Sequence, residues 1–234
     1  MMKAVILAAG EGIRMRPFTY RTPKPMARIL GQTIIEHNIN QLPDAVTEIV
    51  LVVRYLKEQI MDYFGNKFGG RKVHYVELDA CLGTGDALFR CKDLLTERFL
   101  VLMGDDMYTK REIEELFRAG DNALLVKKID EPFAGGNIIV DESGNLLRID
   151  EGVHTEGPSL LNAALYVLTP DIFKYDLVSI KDGKEFGLPQ TLVEMARLHP
   201  VRLVHTRDWI QITTMDDLKR AEEILRKRRL SSKS

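Results

Sequence analysis

Short apolar, β-branched runs alternate with amphipathic stretches along the first half of the chain. Ala4–Ala9, Glu48–Val53, Lys72–Glu77 and Phe99–Met103 read as strands, with Ile34–Leu42, Leu56–Phe64 and Ala87–Leu95 as the helices between them. The strand segments VILAA, IVLVV and FLVLM are apolar at every position rather than at alternate ones. Both faces of such strands must be covered, which predicts an α/β fold: a mostly parallel sheet with crossover helices on each side, in three layers. Ligands of such sheets bind beyond the carboxyl ends of the strands.

The rhythm changes after Leu124. Ala123–Ile129, Asn137–Val140 and Leu146–Ile149 read as strands separated by Gly135-Gly136 and by the turn-like Asp141–Asn145, which predicts a small β-hairpin insertion. A strand at Leu161–Leu168, a helix near Leu188–His199, a strand at Val201–His205 and a last helix at Met215–Arg229 follow. The expected organisation is one domain over residues 1–230. It has a first half to about residue 122, a second half over 123–214, a closing helix at 215–230 and a frayed tail at 231–234.

Composition narrows the chemistry. With 33 Lys and Arg against 34 Asp and Glu, the net charge of -1 supplies no global field for nucleic acid or an anionic membrane, so any phosphate binding must be local. The opening MMKAVILAAGEG is too short for a signal sequence or membrane span and reads as the first buried strand. Cys81 and Cys91 have neither zinc-site nor disulfide-framework spacing, which makes the cytoplasm the expected compartment. Arg226–Arg229 reads as a solvated helix end whose cations suit the macrodipole.

The strongest chemical signal is Leu7–Pro25, LAAGEGIRMRPFTYRTPKP, which packs two glycines, three arginines and a lysine directly after the first strand. Gly10 and Gly12 let backbone N–H groups approach phosphate oxygens, while Arg14 and Lys24 supply charge to the same anion. Pro17, Pro23 and Pro25 are expected to hold the loop extended. Neither a Walker loop nor the third glycine of G-x-G-x-x-G is present, Met15 standing at that last position. A second signal is Gly104-Asp105-Asp106 at the end of the run Phe99–Met103. These carboxylates either hold a metal or cap a helix beginning near Lys110.

Leu7–Pro25 resembles the L-A-A-G-x-G-T-R-x-x-P-x-T-x-x-x-P-K signature of the sugar-phosphate nucleotidyltransferases, with Ile13 in place of threonine. That family includes glucose-1-phosphate thymidylyl- and uridylyltransferases and mannose-1-phosphate guanylyltransferases. The resemblance implies a Rossmann-like nucleotide-diphospho-sugar transferase fold, whose half to about residue 122 binds the nucleotide and whose half over 123–214 binds the sugar. It implies nucleotide contacts from Leu7, Ala8, Ala9, Gly10, Glu11 and Gly12, phosphate neutralisation by Arg14 and Lys24, and a Mg²⁺ ion on Asp105. Leu82–Ala87 resembles the L-G-T-A-x-A turn, which adds Gly83 and Thr84 to the nucleotide contacts; Leu78 stands where many relatives read a pyrimidine with glutamine.

Ile149–Glu151 and Leu161–Val167 resemble I-x-E-K-P and N-A-G-x-Y-V, implying sugar contacts from Glu151 and Asn162, with Gly104 and Glu185 beside them and Gly152 replacing a lysine. Trp209–Leu218 matches W-x-D-[IV]-G-T-P-E-D-L in frame, with Gln211 replacing a second metal-binding aspartate and Thr214 as expected N-cap of the last helix. The implied partners are a nucleoside triphosphate and a sugar 1-phosphate, without nucleic acid or membrane; a homo-oligomer stays open. Leu78, Gly152 and Gln211 keep a second reading alive, a nucleotide-sugar-binding or regulatory homologue with little turnover. A dinucleotide-dependent oxidoreductase gives Arg14 and Lys24 no role, and a glycosyltransferase has no need of the loop.

Overall fold

The computed structural model describes residues 2–155, 157–180 and 183–231; of the expected frayed tail at 231–234, Ser231 instead ends the last helix, and 232–234 lie outside the described residues. Strands β1 (Met2–Ala8), β2 (Arg28–Ile29) and β3 (Gln32–Thr33) precede helix α1 (Ile34–Gln41). Strand β4 (Val46–Val53), helix α2 (Lys57–Phe64), β5 (Lys67–Phe68), β6 (Arg71–Glu77), helix α3 (Gly83–Phe89), β7 (Phe99–Met103) and helix α4 (Lys110–Ala119) complete the first half. The second half runs β8 (Ala123–Ile129), β9 (Phe133–Val140), β10 (Leu146–His154), β11 (Ser159–Leu168), β12 (Ser179–Ile180), β13 (Glu185–Phe186), helix α5 (Leu188–Ala196), β14 (Arg202–Thr206) and helix α6 (Met215–Ser231).

The main sheet is ordered β10-β9-β11-β7-β1-β4-β6-β5, with β8 and β14 branching from β11. Its central strands β6, β4, β1 and β7 are parallel, as their unbroken apolar runs require. From β11 outward the pairing turns antiparallel, except that β14 joins β8 in parallel. Alternate residues of β1 feed two cores: Ala4, Ile6 and Ala8 pack with α1, α2 and α4, while Val5 and Leu7 pack with α3 and α5. This is the expected three-layer sandwich. A third cluster, in which Met15, Ile29, Ile34, Ile212 and Ala221 meet, seats α6 beside the loop that follows β1.

Four local expectations change. Helix α3 begins at Gly83, not Ala87, and gives way to a 3₁₀ turn at Lys92–Leu94. The prolines do not extend Leu7–Pro25; it winds through 3₁₀ turns at Ile13–Met15, Phe18–Tyr20 and Lys24–Met26. Gly135 and Gly136 do not separate strands but lie inside β9, where an added Cβ would fall 2.8 Å from Leu161 Cδ1 or 2.9 Å from Ile149 Cγ2. The β9–β10 hairpin itself forms, its turn closed by Asp141, whose Oδ1 accepts from Ser143 N and Asn145 N at 2.9 Å each. Finally, α4 is capped by Thr109 in a capping box with Glu112, so neither Asp105 nor Asp106 is spent on that helix.

Candidate active site

The loop after β1 is shaped by one glycine and braced from the neighbouring strand. Gly12 is left-handed (φ 63°), and a Cβ there would stand 2.9 Å from Lys24 Cβ and 3.0 Å from Thr19 Cγ2, so only glycine lets the chain double back this closely. The buried Thr19 hydroxyl donates to Gly12 O at 2.9 Å. Beyond β4, Tyr55 OH donates to Thr19 O and Gln59 Nε2 to Arg21 O, each at 2.8 Å. Met15, fully buried, pins the loop's floor into the third apolar cluster.

This folding carries Lys24 across to the end of β7. There Gly104 N donates to Leu7 O at 2.9 Å, and a Cβ on Gly104 would meet that same oxygen at 2.9 Å. The missing side chain therefore allows Asp105 to emerge beside the loop. Lys24 Nζ sits 2.5 Å from Asp105 Oδ2, with 7% and 32% of the two side chains exposed. Residues 81 positions apart meet in a charge-assisted bond at the carboxyl edge of the sheet. The cleft they share has a volume of about 370 Å³, and its lining includes Leu7, Ala8, Gly10, Gly12, Arg14 and Met103.

The carboxylate next in sequence takes a different course. Asp106 is buried, accepting from Trp209 Nε1 through Oδ2 and from Ile212 N through Oδ1, both at 3.2 Å. Burial, and then the charge of Asp105, push its pKa well above the ordinary carboxylate range. It joins the last strand-like segment to β7 and does not face the cleft, so it cannot stand in for a missing metal ligand. Gln211 is exposed between Ile210, bridged to Met107, and Ile212, bonded to Asp106.

Arg14, Lys24, Asp105, Leu7, Ala8, Gly10 and Gly12 thus converge as the sequence indicates. Ala9 turns instead into the apolar core, and Glu11 is drawn aside by Arg16 (3.1 Å) and Arg54 (3.4 Å). The described lining of the cleft includes none of Gly83, Thr84, Gly104, Glu151, Asn162, Glu185 and Gln211. Gly83 and Thr84 tie α3 to β13 and the start of α5: a Cβ on Gly83 would lie 2.4 Å from Phe186 O, and Thr84 Oγ1 accepts from Leu188 N at 3.1 Å. Leu78 is buried in the core and has no polar atom to read a base. Asn162 Oδ1 accepts from Ala164 N at 2.8 Å, and its Nδ2 bonds Tyr166 OH at 3.0 Å. Glu151 accepts from Gln190 at 3.3 Å, and Glu185 lies in β13 opposite Ile180.

Two residues were given no site role by the sequence reading: Thr213, which lines the cleft, and Arg54, which reaches the loop from just beyond β4. Thr213 stands at the glycine of the W-x-D-[IV]-G-T-P-E-D-L pattern, which gives no sign of a contact there, and Arg54 belongs to no local pattern. Among the described residues no three or more His, Cys, Asp or Glu side chains cluster as a metal cage, and no helix is long and apolar enough to cross a membrane.

A family model described as nucleotidyl transferase matches residues 3–228. The chain is 36% identical over 173 residues to the bifunctional protein GlmU of Methanocaldococcus jannaschii, covering 74% of this chain and 41% of that protein. It is 31% identical over 182 residues to the UTP–glucose-1-phosphate uridylyltransferase AglF of Haloferax volcanii, covering 74% of each. The chain spans less than half the length of the first two GlmU relatives it matches, 41% and 49%. In fold, it superposes with TM-score 0.83 on a Bacillus anthracis protein assigned as a glucose-1-phosphate thymidylyltransferase and crystallised with sucrose, at 21% identity and over 96% of this chain and 95% of that one.

Proposed function

The chain belongs to the nucleotidyl transferase family, and from that premise we propose that it joins a sugar 1-phosphate to a nucleoside triphosphate, releasing pyrophosphate. The observation that carries this reading is the meeting of Arg14, Lys24 and Asp105 around one cleft floored by the Gly10–Gly12 loop. Backbone N–H groups of the loop and the two cations bind the triphosphate tail. An oxygen of the sugar phosphate then attacks the α-phosphorus in line, and the bond to the pyrophosphate oxygen breaks. The attacking oxygen is already anionic, so no general base is called for; neutralising and aligning two anions is the catalytic task. Lys24 and Arg14 are aimed at it.

Asp105 is the one carboxylate in the described lining of the cleft. A single hard oxygen ligand beside a polyphosphate fits Mg²⁺, which keeps several waters and takes phosphate oxygens in place of an all-protein cage. Bound there, the ion supplies Lewis-acid charge to the transferred phosphoryl group. The family resemblance also implies Glu151, Asn162 and Glu185 for the sugar and Gly83 and Thr84 for the base, but all five lie outside the described lining of the cleft; Gln211 is the neutral remnant of a second metal ligand.

A pyrophosphate-release assay across triphosphates and sugar 1-phosphates, with Mg²⁺ present, tests the proposal. Turnover with at least one pair is expected. Saturable binding of triphosphate without turnover for any pair would instead support a regulatory homologue, for which Leu78, Gly152 and the neutral Gln211 are the motive.

A further inference from the structure

The ion pair at the floor of the cleft poses a question about order. Lys24 is largely covered where it meets Asp105, while the carboxylate retains the greater exposure, and both line the cleft. A lysine in van der Waals and ionic contact with a lone carboxylate neutralises the very charge a divalent cation needs. Nothing else in the described lining restores it: Arg14 and Lys24 set two positive charges against the one negative charge of Asp105. The neighbouring carboxylate is committed to Trp209 and Ile212, and Gln211 carries no charge.

Resting on the function proposed above, we infer that Lys24 is the resident counter-ion of Asp105, so that the free protein has no divalent-cation site and admits a metal only together with a polyphosphate. A triphosphate brings acceptor oxygens for the Lys24 ammonium. Transfer of Lys24 from carboxylate to phosphate exposes Asp105 at the moment a cation can use it, and at no stage is a nearly buried charge left without a partner. The exchange makes metal and nucleotide binding strongly and reciprocally coupled. It also gives Lys24 two successive partners.

Mn²⁺ is a suitable probe, followed through the electron paramagnetic resonance of the free ion and corrected for Mn²⁺ held by the nucleotide itself in protein-free controls. Titrations are run on the whole chain, with and without an α,β-methylene triphosphate that cannot turn over. The expected result is at least about tenfold tighter Mn²⁺ retention in the ternary mixture than by the protein alone, a factor within the usual range of coupling between sites. Calorimetry should give the same factor for the effect of Mn²⁺ on the analogue. In Lys24→Gln, Mn²⁺ alone should bind about tenfold more tightly than to the wild type.

Mn²⁺ binding to the free wild-type chain within threefold of the ternary value overturns the inference while leaving the function intact, and this comparison needs no variant to fold. A folded Lys24→Gln protein with no gain in Mn²⁺ affinity also overturns it. Failure of every analogue to bind, with or without metal, overturns the proposed function and takes this inference with it.

Discussion

In residues 1–122 the groups that define the cleft are placed by backbone. Gly12 doubles the loop back, Gly104 brings β7 against Leu7, and Lys24 and Asp105 meet as a consequence. In residues 123–214 the polar groups are placed by one another: Asn162 holds Ala164 N and Tyr166 OH, Glu151 holds Gln190, and β11 is broken by an irregularity between Asn162 and Tyr166. The first region has side chains left over for a ligand. The second has used many of its polar side chains to secure its own backbone. Glycine-built sites are legible and preorganised, since the missing Cβ fixes geometry without consuming any donor or acceptor. Side-chain networks specify a fold but leave fewer groups to spend on a substrate.

The sharpest way to break this contrast is at Asp105. Asp105→Asn should lower turnover by about 10²- to 10³-fold, the scale of removing one electrostatic contact to a developing charge. Because it also leaves the nearly buried Lys24 without its counter-charge, the melting temperature should fall as well. Steady-state kinetics and calorimetry on one preparation separate the two effects. A rate within threefold of the wild type would remove the first region's claim to the chemistry.

Next comes the seam between the regions. In Gly83→Ala the new methyl would meet the backbone oxygen of Phe186 at 2.4 Å, on a residue whose φ is +96°. Neither partner is a flexible side-chain tip, so the cost should be about 2–4 kcal/mol in denaturant unfolding. A loss under about 0.5 kcal/mol would mean that α3 and β13 can part freely and that the two regions are less tightly joined than their contacts imply. Asn162→Ala follows with about 1–3 kcal/mol, because it strips Tyr166 OH and Ala164 N of their partner inside the sheet. The contrast holds if the melting temperature drops while the KM for the sugar phosphate stays within threefold. It breaks if KM rises at unchanged stability.

How much of this was readable beforehand follows the same division. The central strands, the hairpin turn at Asp141–Asn145 and the capping box at Thr214 and Asp217 are local patterns, and each formed as expected. The loop's convergence on Asp105 was legible because glycine and charge sit together in one segment next to a strand end. What escaped depends on partners far along the chain. Asp106 looks like a ligand or a cap until Trp209 and Ile212, over one hundred positions away, claim both its oxygens. Gly135-Gly136 looks like a turn until Leu161 and Ile149 are seen to need the space. Gly83 and Gly85 lower the apparent helix propensity of a segment whose first turn is fixed from outside by Phe186 and Leu188.

The smallest effect is expected at Ala164, and its sign is informative. This residue occupies φ +50° in the irregular stretch of β11, a left-handed conformation that costs an L-residue about 1 kcal/mol. The strain is held in place from three directions: Asn162 Oδ1 accepts from Ala164 N, Tyr108 OH approaches the carbonyls of Ala163 and Ala164 at 3.1 Å each, and the strand on either side is paired in the sheet. Glycine, which stands at this position in the N-A-G-x-Y-V pattern, relieves the strain but forfeits a methyl that packs against the second core and frees the unfolded chain. The balance should leave Ala164→Gly more stable by about 0.5 kcal/mol, a rise of one or two degrees in melting temperature. If the variant is instead less stable, packing outweighs backbone strain here. The second region would then be held by its apolar contacts more than by its polar network, and the contrast with the glycine-shaped loop would narrow accordingly.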